Sequence, residues 1–146
     1  MCRNGFALIS ALFLLVVLSA LGAFVMTLST TSQQSATLDF QGSRAYQAAR
    51  AGIEYAAFQA LTSDSCTSAS ISVGGLLADF VINVQCTRST HNQAGNTITV
   101  YQLTATACNL GITATCGPAQ RSPNYVERQI SATVAKCLDT SGGACA

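Results

Sequence analysis

An α+β fold, with a long N-terminal α-helix packed on a small antiparallel sheet of about three strands, is predicted by three features of the sequence. A charge-free apolar run opens the chain, and a stripe of small residues at helical spacing continues it. Beyond residue 65 the apolar period falls to two, and six of the seven cysteines enter.

The apolar run is Phe6 to Met26, 21 residues, and no charged side chain occurs between Arg3 and Asp39. At ~1.5 Å of rise per residue it matches a hydrocarbon core of ~30 Å, so one transmembrane helix is expected. Arg3 before the span favours a cytoplasmic N-terminus.

After Met26 comes the polar, uncharged stretch TLSTTSQQSATL, and then Leu38, Gly42, Ala45, Ala49, Ile53, Ala56 and Ala60 recur at steps of four and three. That is one face of an α-helix, with Arg50 and Glu54 as an i,i+4 pair away from it. No proline precedes Pro118, so one helix is expected from Phe6 to Leu61, ~84 Å long if continuous. Gly22, Gly42 and Gly52 within it mark bends or close packing. The Ala-rich stripe reads as the face that packs on the chain's own sheet. Thr62-Ser63-Asp64-Ser65, a cluster of turn and cap formers, ends the helix.

Three strands follow. Phe80, Ile82, Val84 and Cys86 alternate with Val81, Asn83 and Gln85; Ile98 and Val100 belong to a Thr-rich run through Ala107; Val126, Ile130, Ala132 and Val134 line the third. Ser89 to Asn96 reads as the first loop. Asn109 to Asn124, which holds both prolines, is the second, longer than the usual ~4 to 6 residues and a candidate partner-contacting surface.

Cys2 precedes the apolar run, whereas Cys66, Cys86, Cys108, Cys116, Cys137 and Cys145 follow it. An even set beyond a membrane segment points to structural disulfides in an oxidising compartment. Sequence proximity favours Cys66 with Cys86, Cys108 with Cys116, and Cys137 with Cys145. Each would contribute ~2 to 4 kcal/mol to a head too small to be stable without help. A zinc site is the rival reading, but no C-x-x-C pair is present; no metal and no cofactor is expected.

An enzyme finds little material here. His91, the only histidine, lies among polar loop residues, and Asp39, Glu54, Asp64, Asp79, Glu127 and Asp139 are scattered with no acid/base spacing. The adjacent Glu127 and Arg128 fall on opposite faces of a strand and read as edge charges. A net charge of +1 without a basic cluster excludes nucleic acid as a partner.

The N-terminal run has three readings. As a secretory signal, Phe6 to Leu18 would be the apolar core and Ala20-Leu21-Gly22 the cleavage site, releasing a chain that starts near Ala23. The apolar residues Phe24, Val25, Met26 and Leu28, and the helical pattern beyond them, are superfluous to such a signal. As a permanent single-span anchor, the run leaves Gly5 before Phe6 without a reason. The third reading is a segment cut on its cytoplasmic side.

Met1-Cys2-Arg3-Asn4-Gly5 followed by Phe6-Ala7-Leu8-Ile9 resembles a type IV prepilin leader with its cleavage site. Four strings, GFALISALFLLVVL, QGSRAYQAARAGIEY, TVYQLTATAC and NYVERQISATV, are similar to the MshP group of minor pilins of the mannose-sensitive haemagglutinin pilus. The likeness extends more loosely to PilX-type minor pilins. The resemblance implies a pilin-like lollipop: leader 1–5, membrane and fibre-spine helix 6–26, amphipathic extension 27–61 and extracytoplasmic head 62–146. It implies a cut between Gly5 and Phe6 by a membrane aspartyl peptidase, N-methylation of Phe6, and loss of Cys2. Other pilin and minor-pilin subunits, the prepilin peptidase and the inner-membrane assembly platform are the implied partners. The implied location is the inner membrane with the head in the periplasm, then the pilus. Similar proteins of the fibre shaft carry Glu at the fifth position after the cut; this chain has Ser10, a departure that points to the fibre tip or to initiation of assembly.

Overall fold

The computed structural model describes residues 4–109, 116, 117 and 124–145, with side chains from residue 8 onward. Its first element is α1, Asn4–Ser63. The chain divides into two compact units, Met1–Asp39 and Phe40–Ala146.

In the first unit α1 is long and apolar enough to cross a membrane by length and composition. Among the described residues its large apolar side chains are mostly exposed; Phe13 is 67% and Met26 71% exposed. From Thr27 to Asp39 the residues are mostly polar and all exposed, and hydroxyls turn back onto the helix. Thr27 Oγ1 donates to the Phe24 carbonyl at 2.8 Å, and Thr31 Oγ1 to the Thr27 carbonyl at 2.9 Å.

In the second unit the remainder of α1 packs on an antiparallel sheet. Its strands are β1 (Ala69–Ser72), β2 (Val81–Gln93), β3 (Asn96–Cys108) and β4 (Glu127–Leu138), in the spatial order of the chain. The period-2 alternation sets the faces. The register Val84↔Ala105 and Ala105↔Ile130 puts those residues, with Ile82, Leu103 and Val134, on the side toward α1. Thr104 and Ser131 point the other way and meet at 3.3 Å. Ala45, Ala49, Ala56 and Ala60 bury their stripe as expected, joined by Ala48, while Leu38 stays 39% exposed.

At Gly52 the helix comes close to the sheet. A Cβ there would lie 2.6 Å from Ile82 Cγ2 and 3.0 Å from Ala105 Cβ, so the helix meets the sheet backbone-first. The helix ends after Ser63, and Asp64 takes φ 52°, a left-handed conformation that Asp tolerates better than most residues.

Two expectations change. The sheet has four strands: β1 is only four residues of Ala-Ser-Ile-Ser, too short and polar to register as a periodic run. The loop read at Ser89 to Asn96 is instead a long hairpin, with Gln93 paired to Asn96 across Ala94 and Gly95. Both turn residues have positive φ, 51° and 87°, as a two-residue type I′ connection requires. Its polar residues stand beyond the core and are exposed, so composition imitates a loop while the backbone ladder continues.

Candidate functional site

The Gly5–Phe6 bond lies in the first turn of α1. Met1, Cys2 and Arg3 lie outside the described residues. Ser10 is exposed among the apolar side chains of the same helix.

The six cysteines of the second unit form three disulfides: Cys66 with Cys86, Cys108 with Cys116, and Cys137 with Cys145, at Cα separations of 5.3, 5.6 and 5.5 Å. The first ties the segment after α1 to β2, and the second fastens the start of the β3–β4 connection. The third folds the tail back on β4, where Leu138 bridges Ala144.

Within that tail, Asp139 Oδ1 accepts from the N–H groups of Ser141 and Gly143, both at 2.8 Å. The Ser141 hydroxyl bond, with these N–H donors, holds the Asp139 carboxyl below its usual range.

The long connection is clamped at its mouth. Asn109 Oδ1 accepts from the Val126 N–H at 2.9 Å, and Asn109 Nδ2 donates to the Asn124 carbonyl at 2.6 Å. The Gly117 N–H donates to Tyr125 Oη at 3.2 Å, and that hydroxyl in turn donates to Glu127. Burial first and Glu127 second push the Tyr125 hydroxyl up. The remainder of the connection, including Pro118 and Pro123, lies outside the described residues, and so does most of the partner surface read there.

Arg44 organises the surface beside the helix. Its Nη2 donates to the Leu76 carbonyl and lies 3.5 Å from Asp79 Oδ2. The guanidinium stands 5.5 Å from the Phe80 ring centroid and 6.0 Å from that of Phe40, both within cation–π range. Phe40, Arg44, Gly74, Leu76 and Leu77 line an open groove of about 620 Å³, and Leu76 is 85% exposed. The 3-10 turn Gly75–Leu77 carries this apolar tip, which sequence reading missed because no periodic run contains it.

The remaining charges are dispersed. Arg50 and Glu54 form the expected surface pair at 3.0 Å, of little energetic weight at such exposure. His91 is an exposed residue of β2. Among the described residues no group of three or more His, Cys, Asp or Glu side chains gathers as a metal cluster. The geometry offers hydrogen-bonding clamps, covalent ties and an apolar surface.

Residues 4–54 match the model of the PilX N-terminal family. The match covers the apolar helix and most of the Ala-rich stripe, and ends before the sheet. No curated protein and no solved structure matches the chain.

Proposed function

We propose that the chain is a minor pilin, a non-catalytic subunit that takes part in type IV pilus biogenesis, in the manner of the MshP group. The observation that carries this reading is one helix with two kinds of surface. Its N-terminal part is apolar, uncovered and similar to the PilX N-terminal family, and its C-terminal part is the packed backbone of a disulfide-tied head domain. Such a helix is suited to wait in a membrane and then to join a helical bundle. In this account the prepilin peptidase cuts between Gly5 and Phe6, the new amine is methylated, and the assembly platform moves the subunit from the inner membrane into the fibre beside other pilins.

Ser10 gives the proposal a position. In a pilin bundle a cationic N-terminal amine buried in apolar surroundings needs a carboxylate partner, since an unpaired charge there costs several kcal/mol. Ser10 cannot supply that charge to a neighbour above it. The first subunit of a fibre has no such neighbour, so this chain is placed at the tip or at initiation. Head-specific labelling of sheared pili tests it. A label at one fibre end supports the proposal, and labels spread along the shaft contradict the tip position.

A further inference from the structure

β4 is an edge strand of the sheet, and it pairs with β3 without a bulge from Glu127 to Leu138. The tail covers its outer side at one end. There the Cys137 carbonyl accepts from the Cys145 N–H at 3.3 Å, and the Asp139 N–H donates to the Gly143 carbonyl at 2.8 Å. Those groups face away from β3, and antiparallel alternation turns the N–H and C=O of Gln129, Ser131, Thr133 and Ala135 the same way. Among the described residues these groups have no hydrogen-bond partner. They form an open ladder ~23 Å long, at ~3.3 Å per residue.

An exposed strand edge invites pairing with other chains, and proteins blunt it with proline, charge, a bulge, a short strand or a cover. On the opposite edge of the sheet β1 is four residues long, and the part of β2 beyond it carries Arg88. From Gln129 to Ala135 β4 has no proline, no charge and no bulge. Its side chains are suited to a neighbour. Ile130 and Val134 are only partly buried against the core, and Arg128 lies on the same face, two residues before Ile130. Arg128 donates to the Glu127 carbonyl and, among the described residues, has no carboxylate partner.

We infer that the β4 edge from Gln129 to Ala135 takes up an extended segment of another protein as an added antiparallel strand. Main-chain hydrogen bonds hold such a segment, and alternate side chains select it. The side chains here call for apolar residues opposite Ile130 and Val134 and a carboxylate opposite Arg128. A second copy is the poorer fit. The antiparallel register that pairs Gln129 with Ala135 and Ser131 with Thr133 sets Arg128 of each copy against Lys136 of the other, and like charges directly opposite destabilise a sheet. The inference uses the second unit alone and does not depend on the pilin reading.

Amide hydrogen exchange and peptide binding of the full chain in lipid nanodiscs test it. The probe is the acetylated, amidated peptide Thr-Val-Thr-Ile-Thr-Val-Thr-Asp, which in antiparallel register sets its Asp opposite Arg128. In the free chain the Ser131 and Thr133 amides are expected to exchange at least about a hundredfold faster than those of Ala132 and Val134, which face β3. Saturating peptide is expected to slow them at least about tenfold. Ser131→Pro removes an outward N–H and none that faces β3, and is expected to weaken peptide binding at least about tenfold. Arg128→Glu is expected to weaken it about fivefold, and a peptide ending in Lys to restore it. Slow exchange of Ser131 and Thr133 without peptide overturns the inference, because the chain itself or a second copy then occupies the edge. An edge that the peptide does not protect overturns it too, as does binding unmoved by either substitution.

Discussion

Tyr101 Oη donates to Asp64 Oδ1 at 2.9 Å, fastening the residue that ends α1 to the middle of β3. Lys136 Nζ on β4 donates to the other carboxylate oxygen, also at 2.9 Å. The Tyr101 ring is fully buried, so its hydroxyl needs a partner at the core's edge, and the left-handed turn at Asp64 aims one at it. The hydrogen bond from Lys136, and then that from Tyr101, hold the Asp64 carboxyl below its usual range. Burial first, and Asp64 second, push the Tyr101 hydroxyl up.

This clasp makes stability depend on acid. Because the folded pKa of Asp64 is depressed, its contribution is present above the unfolded carboxylate value and is lost as pH falls through the folded one, below about pH 4. Melting temperatures measured from pH 6 to pH 2 are expected to fall more steeply for the native chain than for Asp64→Asn. Parallel curves would show that the carboxylate is not linked to folding. Tyr101→Phe, which leaves Asp64 with Lys136 alone, is expected to cost about 1 kcal/mol at neutral pH.

Gly52→Ala sets two effects against each other. Alanine gains up to about 1 kcal/mol of helix propensity, but its Cβ would lie 2.6 Å from Cγ2 of Ile82, a fully buried side chain, and 3.0 Å from Ala105 Cβ. Net destabilisation of about 1 to 3 kcal/mol is expected, typical of overpacking, and Gly52→Leu is expected to exceed it. Gly22→Ala, with nothing within 4 Å of the added Cβ, is the control and is expected not to destabilise the chain. A thermal melt that ranks Gly52→Ala above the native protein contradicts the close-approach account.

The disulfide between Cys108 and Cys116 closes a loop with a sequence separation of 8 at the mouth of the long connection. Replacing both residues with Ser is expected to cost about 2 to 4 kcal/mol and to raise proteolysis between Asn109 and Asn124 before the sheet is touched. Alkylation of the denatured, non-reduced chain checks the pairing: label at either residue in the native protein contradicts it.

Gly5→Leu puts a bulky side chain at the residue expected to enter the peptidase cleft. An uncleaved, membrane-held precursor is the expected product, seen as a slower band in envelope fractions. Normal processing of this variant contradicts the proposed cut.

The helix was legible because its determinants are local: an apolar run, then a small-residue stripe at steps of three and four, then a cluster of turn formers around Asp64. The core alternation of β2, β3 and β4 was legible for the same reason. β1 was not, since Ile71 is its one large apolar residue and its place beside β2 is set by pairing and not by pattern. The hairpin at Ala94-Gly95 lacked the Asn-Gly or Asp-Gly signal, and its strands carry polar residues on both faces. The three disulfides coincide with the pairs favoured by proximity. The Asp64, Tyr101 and Lys136 clasp joins residues 37 and 72 positions apart, and no spacing rule reaches that far. The Arg44 groove depends on where a short turn happens to stand.

The mature N-terminus tests the central claim most directly. Intact mass and N-terminal sequencing of the chain from cell envelopes are expected to find Phe6 first, N-methylated, with Met1 to Gly5 and Cys2 gone. A chain that begins near Ala23, or one that keeps Met1 in assembled fibres, would contradict the account.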